Sequence, residues 1–134
     1  MEPDVPAVHI RGLAERAASP VQRLGPDVTV PATLPVLLEF SHTEPAIGTA
    51  TLTRDNEGIH ADATLWLTGT FGEIAKRHDI RNMWPKLAIG IRAATVTKGA
   101  DGADVITSGE VVALSLCREN VDPDLPPWEV VYDA

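Results

Sequence analysis

The chain has one cysteine, Cys117, in 134 residues. No intrachain disulfide can form from it, and no cysteine-based metal site either. Aromatic residues are nearly as scarce, at 4%, which leaves aliphatic side chains to fill a core. Positive charge is also short: 11 Lys and Arg stand against 19 Asp and Glu, for a net charge of -8. The basic residues are spread singly. That excludes the clustered cationic surface that grips a nucleic-acid backbone or an anionic membrane. No apolar run approaches the roughly 20 residues that span a bilayer, and no basic segment leads into an apolar one at the N-terminus. A soluble intracellular protein without a signal peptide is the default expectation. There is no Gly-rich phosphate loop and no HxxxH, HxH or Asp-x-Asp pattern, so no cofactor and no metal are expected.

What is present is enough for one globular domain. Hydrophobic residues make up 44% of the chain, and a chain of this length buries roughly two-thirds of the surface that its unfolded form exposes. Eleven prolines and ten glycines imply much loop and extended chain. The centre of the pattern is Leu87-Ala88-Ile89-Gly90-Ile91. Period-two alternation puts Leu87, Ile89, Ile91 and Ala93 on one face of a strand and Ala88, Gly90 and Arg92 on the other. The small residues leave an open groove on that second face.

Around this strand the chain divides into an N-terminal arm (1–33), a β domain (34–117) and an extended C-terminal arm (118–134). Residues 8–18 fit a short helix with Ile10, Leu13, Ala14 and Ala17 on one stripe, and Val8-His9-Ile10 fits the opening of a strand equally well. Leu34–Phe40 is a buried-strand pattern. Residues 46–53 and 59–67 alternate on either side of Arg54-Asp55-Asn56-Glu57-Gly58, which is turn chemistry and predicts a β-hairpin. Ile59, Ala61, Ala63, Leu65 and Leu67 share its apolar face. A helix follows, with Thr70 and Glu73 spaced as a capping box, Phe71, Ile74, Ala75 and His78 on one stripe, and a stop forced by Pro85. Residues 103–117 form a second long strand bent at Gly109. Either Val111, Ala113 and Ser115 or the bulkier Val112, Leu114 and Leu116 face its core, and bulk favours the second set. The last stretch is acidic and proline-rich and carries Trp128, Val130 and Tyr132. Such an arm adds a strand to another subunit or folds back on its own domain.

Catalytic groupings are weak in the residues themselves. Ser41, His42 and Glu44 lie together, yet adjacent strand residues point to opposite faces, so Ser41 cannot serve His42. His60 falls on the polar hairpin face, His78 suits the end of the helix, and His9 carries no signal. Ser115 and Ser108 are more readily structural strand serines than nucleophiles.

The order of motifs says more than any one of them. An apolar strand running into His42 (Val36-Leu37-Leu38-Glu39-Phe40-Ser41-His42) is followed by the hairpin, the helix, Leu87-Ala88-Ile89-Gly90-Ile91 and Glu110-Val111-Val112-Ala113-Leu114-Ser115-Leu116. This set, across about 34–117, resembles the prohead (head maturation) proteases of tailed bacteriophages, whose fold is shared with the herpesvirus assembly proteases. The resemblance implies an α+β, mainly β domain: a small antiparallel β-barrel-like body with one or two short helices. Family members are serine proteases that trim capsid and scaffold proteins. Their histidine matches His42, although the usual following aspartate is Thr43 here. Their nucleophilic serine matches Ala88, and a candidate acidic third member matches Ala113.

The resemblance therefore implies the fold without the activity, with His42, Ala88 and Ala113 as vestigial positions. It implies a non-enzymatic phage head protein, most concretely a decoration or cement protein. Such a protein would bind the major capsid protein and copies of itself through Trp128, Val130 and Tyr132, with no nucleic acid and no membrane as partners. It would reside in the virion capsid, and in the host cytoplasm during assembly. Two alternatives stay open: an assembly factor that holds capsid peptides in the groove beside Ala88, and a prohead serine protease whose nucleophile has been mutated.

Overall fold

The computed structural model describes residues 6–39 and 45–131. In chain order the elements are β1 (Ala7–Arg16), β2 (Gln22–Thr29), β3 (Thr33–Leu38), β4 (Gly48–Asp55), β5 (Gly58–Trp66), α1 (Gly69–Arg77), α2 (Ile80–Met83), β6 (Lys86–Lys98), β7 (Asp104–Cys117) and β8 (Glu129–Val130). Among the described residues no helix is long and apolar enough to cross a membrane.

The mainly-β expectation holds, but the sheet is mixed and open where an antiparallel barrel-like body was expected. β7 is its axis. β6 pairs antiparallel along one side of β7, while β2 and then β3 pair parallel along the other. From β3 the sheet continues antiparallel through β4, β5, β1 and β8. The parallel pairings arise because β2 and β3 follow one another in one direction with only residues 30–32 between them. Among the described strands none joins β6 to β1. Residues 118–131 cross that opening, with Trp128 N donating to Pro85 O (3.1 Å) and Val131 N to His9 O (2.9 Å).

The stretch read as an N-terminal arm supplies β1 and β2. The helix reading of residues 8–18 fails, because pairing with β5 satisfies the backbone of β1 from Ala7 to Arg16 and a bulge between Leu13 and Glu15 disguises its alternation. The β4–β5 hairpin forms as expected, with Ile59, Ala61, Ala63 and Leu65 buried. Asp55 Oδ1 accepts from Glu57 N at 2.8 Å, and Gly58 takes φ +138, a conformation that favours glycine. Gly48 on β4 allows a close approach: a Cβ there would stand 2.0 Å from Thr64 O. Gly48→Ala is therefore expected to push β4 off β5 and lower stability by roughly 1–3 kcal/mol. A lower midpoint in urea unfolding at unchanged slope would show it, and an unchanged midpoint would contradict it.

The helix begins two residues earlier than its sequence signal. Thr68, not Thr70, is the N-cap of α1, and it makes no side-chain capping bond, so the capping box does not form. Phe71 is buried and sits 6.3 Å from Trp84, ring centre to ring centre. His78 is the exposed C-cap.

Three register shifts interrupt the β6–β7 ladder. The first leaves Val112 unpaired, so Val111 joins Leu114 and Leu116 in the core. This corrects the expected Val112, Leu114 and Leu116 set. The second shift includes Ala93, which is exposed at φ +56, and the bend at Gly109, φ +145. Ala93 thus leaves the apolar face expected to hold it.

Candidate functional site

The small face of β6 is built from neighbouring strands. Ala88 stands opposite Ser115 on β7, and Ser115 is in register with Leu37 on β3. Paired residues point to the same face, so Ala88, Ser115 and Leu37 make one row across three strands. Gly90 lies opposite Ala113. Ala88 is 9% exposed, Ala113 3% and Ser115 0%. The groove expected beside Ala88 and Gly90 is therefore largely covered over the row itself. The main core, with Leu87, Leu114, Leu116 and Val36, lies on the other face.

The chain leaves β3 at Glu39, whose N–H donates to Leu116 O at 2.9 Å. Glu39 Oε1 in turn accepts from Trp84 Nε1 at 2.9 Å and lies 3.0 Å from Arg118 Nε. His42, Ser41, Thr43 and Glu44 lie outside the described residues. Ser108 lies on β7 opposite Thr95, roughly 20 Å along the strand from Ser115 at about 3.3 Å per residue. Cys117 is buried, and burial together with the Glu39 charge pushes its thiol up to about 11, so it offers no thiolate at neutral pH.

Open space exists just to one side of Ala88. A cavity of about 140 Å³ is walled by Glu15 and Gln22 on one side and Ala88 and Ile89 on the other, with residues 119–121 completing it. It lies in the opening between β1 and β6. Asn120 fixes its C-terminal wall: Nδ2 donates to Leu87 O (2.8 Å) and Oδ1 accepts from Asp122 N (2.9 Å). Asp122 is clamped by Arg16, with Nε to Oδ2 at 2.5 Å and Nη2 to Oδ1 at 2.8 Å. The Arg16 bonds hold the Asp122 carboxyl below its ordinary range.

Glu15 differs from all of these. It is 6% exposed. Its Oε2 accepts a long bond from Gln22 Nε2, at 3.4 Å, and its Oε1 is buried with no hydrogen-bond partner among the described residues. Burial pushes its pKa up to about 7; the Gln22 bond opposes this and the Asp122 charge adds to it. No sequence pattern marks Glu15, because three sequence-distant segments enclose it.

The C-terminal aromatic reading needs correction. Trp128 is 1% exposed and donates from Nε1 to Trp84 O at 2.6 Å, so it anchors the segment in its own core and presents no aromatic face to a partner. Of the two readings of this arm, folding back is the one seen over residues 118–131. Val130 is half-buried in β8 opposite Ile10, and Tyr132 lies outside the described residues.

A larger apolar cavity of about 700 Å³ lies among Leu38, Pro45, Ile47, Trp66, Phe71 and Ile74, at both ends of the stretch 40–44. Asp55, Glu57 and His60 bring possible ligand atoms within 4.8 Å of one another. They are the groups through which a metal would be held, but Asp55 already braces the turn through Glu57 N and meets His60 Nε2 at 3.2 Å. His9 lies 3.3 Å from Thr64 Oγ1 on the exposed face of β1 and β5.

No protein-family model matches the chain, and no curated protein matches it either. Among solved structures, the chain is similar to the KSHV protease in complex with a hexapeptide phosphonate inhibitor. The TM-score is 0.54 at 12% sequence identity, with 96% of this chain and 66% of that one covered. The chain thus spans just under two-thirds of the viral protease's length, and at this identity the likeness is one of fold: a viral protease-like fold is what the chain shares.

Proposed function

We propose that this chain is a non-enzymatic phage head protein, a decoration or cement protein that binds the major capsid protein through an inactivated protease-like domain. One observation carries the reading. Ala88 occupies the place where the resemblance to prohead proteases puts the nucleophilic serine, and a methyl group has no lone pair to attack a carbonyl. The buried row of Ala88, Ser115 and Leu37 supports it, since Ser115 is enclosed and Cys117 offers no thiolate. The net charge of -8 suits a protein placed against a shell that encloses DNA. Trp128 is withdrawn as a contact residue, which leaves Val130 and Tyr132 for the shell or for a second copy.

The test is made on purified heads of a phage that encodes the chain. The protein is expected in mature heads at a fixed ratio to the major capsid protein, and heads assembled without it are expected to disrupt at a lower temperature. Its presence in procapsids with loss at maturation would replace decoration by an assembly role. Specific cleavage of a capsid-protein substrate by the chain itself would overturn the non-enzymatic reading, whereas cleavage gained only by Ala88→Ser would support Ala88 as the place of the lost nucleophile.

A further inference from the structure

The cavity beside Ala88 meets a carboxyl that the fold uses only in part. Glu15 is more than nine-tenths buried and lines the cavity, and its Oε1 has no hydrogen-bond partner among the described residues. A buried acceptor left unmade costs more than a typical hydrogen bond contributes, and such groups in native proteins call for an explanation. An apolar residue would fill the position at lower cost unless a ligand completes it.

The surroundings specify the ligand. Arg16, the adjacent cation on β1, is turned to Asp122 and also lies 3.8 Å from Asp124. Arg23 on β2 is taken by Asp101 and Ser19 O. Lys86 at the start of β6 bonds Leu125 O. The C-terminal segment brings Glu119 to the cavity wall and Asp122 nearby, and β5 faces Glu15 with Ile59. The nearby cations are thus engaged elsewhere, and the cavity lining holds two carboxyls, Glu15 and Glu119, and no cation among the described residues, so a cationic donor is favoured there. Oε1 is the oxygen without a partner, and because it is buried the cavity wall must give slightly for a donor to reach it, while Oε2 already accepts a long bond from Gln22. A guanidinium, which prefers both oxygens of a carboxylate, is therefore poorly matched, whereas an ammonium is a point donor. Ala88, Ile89 and Val121 give the cavity apolar walls for an alkyl stem. At about 30 Å³ per water-sized atom, 140 Å³ has room for about five heavy atoms, the number in a lysine side chain.

We propose that this cavity is a binding site for a primary alkylammonium group, presented as the lysine side chain of a partner protein. Its ammonium donates to Glu15 Oε1 and its methylenes lie against Ala88, Ile89 and Val121. The site rests on the cavity alone and stands whether or not the chain is a head protein.

An NMR titration of the whole chain near neutral pH tests it. The probe is N-acetyl-lysine N-methylamide, the uncharged control is the norleucine analogue, and n-butylamine represents a free amine. The lysine derivative is expected to give saturable shifts at Gln22, Ala88 and Asn120 with a dissociation constant of roughly millimolar order, the scale of a single small fragment. The norleucine analogue, and the lysine derivative with Glu15→Gln, are expected to bind about tenfold or more weakly, the loss of one charge-assisted bond. Affinity is expected to rise with pH through the titration of Glu15. Absence of saturation, equal binding of the norleucine analogue, or unchanged binding by Glu15→Gln would each overturn the site. Markedly tighter binding of n-butylamine than of the lysine derivative would overturn the lysine assignment.

Discussion

Trp128→Ala is expected to cost about 3–5 kcal/mol, the range for removing a buried large aromatic side chain. Stabilities of small domains lie at about 5–15 kcal/mol, so this is a large fraction of the whole. The root of the side chain comes close to β1 because Gly12 has no side chain: a Cβ at Gly12 would lie 2.9 Å from Trp128 Cβ, 3.0 Å from Trp128 Cα and 3.0 Å from Leu87 Cδ1. Truncation empties the place of the indole in the core and deprives Trp84 O of the Nε1 donor at 2.6 Å. The backbone around it is also a junction, where Trp128 N reaches Pro85 O at 3.1 Å and Trp128 O accepts from Arg81 Nε at 2.8 Å. Thermal unfolding should show a midpoint lower by roughly 10 °C or more. Gly12→Ala should also lower stability, by pushing outward the Trp128 Cα and Cβ, atoms that Trp128→Ala retains. A loss below about 1 kcal/mol for Trp128→Ala, the level of an ordinary substitution, would mean that the C-terminal segment does not pack on the sheet in solution.

Glu15→Gln should do the opposite. Burial raises the carboxyl from 4.5 to about 7 in the folded chain, so across that interval the folded state holds a proton that the unfolded state has released. Stability contributed in this way is complete below the unfolded value, falls as pH rises through the interval, and is lost above the folded value. At about 1.4 kcal/mol per pKa unit, the wild-type chain should lose on the order of 3 kcal/mol between mildly acidic and mildly alkaline solution. Gln keeps the shape and cannot ionise. The variant should therefore match wild type in mild acid and exceed it by up to about 3 kcal/mol in mild alkali. Asp122 and Asp101, both held low by arginine, act in the opposite sense, losing stability as pH falls, and in a more acidic range. Urea midpoints of both proteins at the two pH values decide it, and a difference that does not vary with pH would refute the buried-carboxyl account.

The contrast between Trp128 and Glu15 shows where sequence reading reached and where it stopped. The β4–β5 hairpin was legible because unbroken period-two alternation meets Asx and glycine turn chemistry within one local stretch. The β6 strand was legible through Ile91 for the same reason, and so was Ala88 at its centre. β1 was not, because its bulge at Leu13–Glu15 mimics the spacing of a helical stripe. Val111 replaced Val112 for the same kind of reason, since a bulge shifts parity and no local signal announces it. Trp128 read as a partner contact because it sits among prolines and acids, yet it packs against Gly12 of β1, beside Leu87 of β6, two strands distant in sequence. The burial of Glu15 is decided by β1, β2 and the C-terminal segment together, and a charged residue between Ala14 and Arg16 reads as surface. The candidate site was thus half visible: the small face of β6 could be read, and the carboxyl beside it could not.

The parallel placement of β2 and β3 on β7 also sets an order of events during synthesis. The β4–β5 hairpin can close as soon as it emerges, since its partners are adjacent in sequence. β2 must instead wait for Asp104 to Glu110, and β3 for Leu114 to Leu116, with the hairpin and both helices made in between. Until then β2 has no strand partner and β3 lacks one on one side, leaving unpaired N–H and C=O groups that can template wrong partners. Loop closure over such separations is slow relative to local pairing. Refolding should therefore be limited by the docking of β7, and crowded chains synthesised together are most exposed to mispairing in the interval just before residue 104 appears.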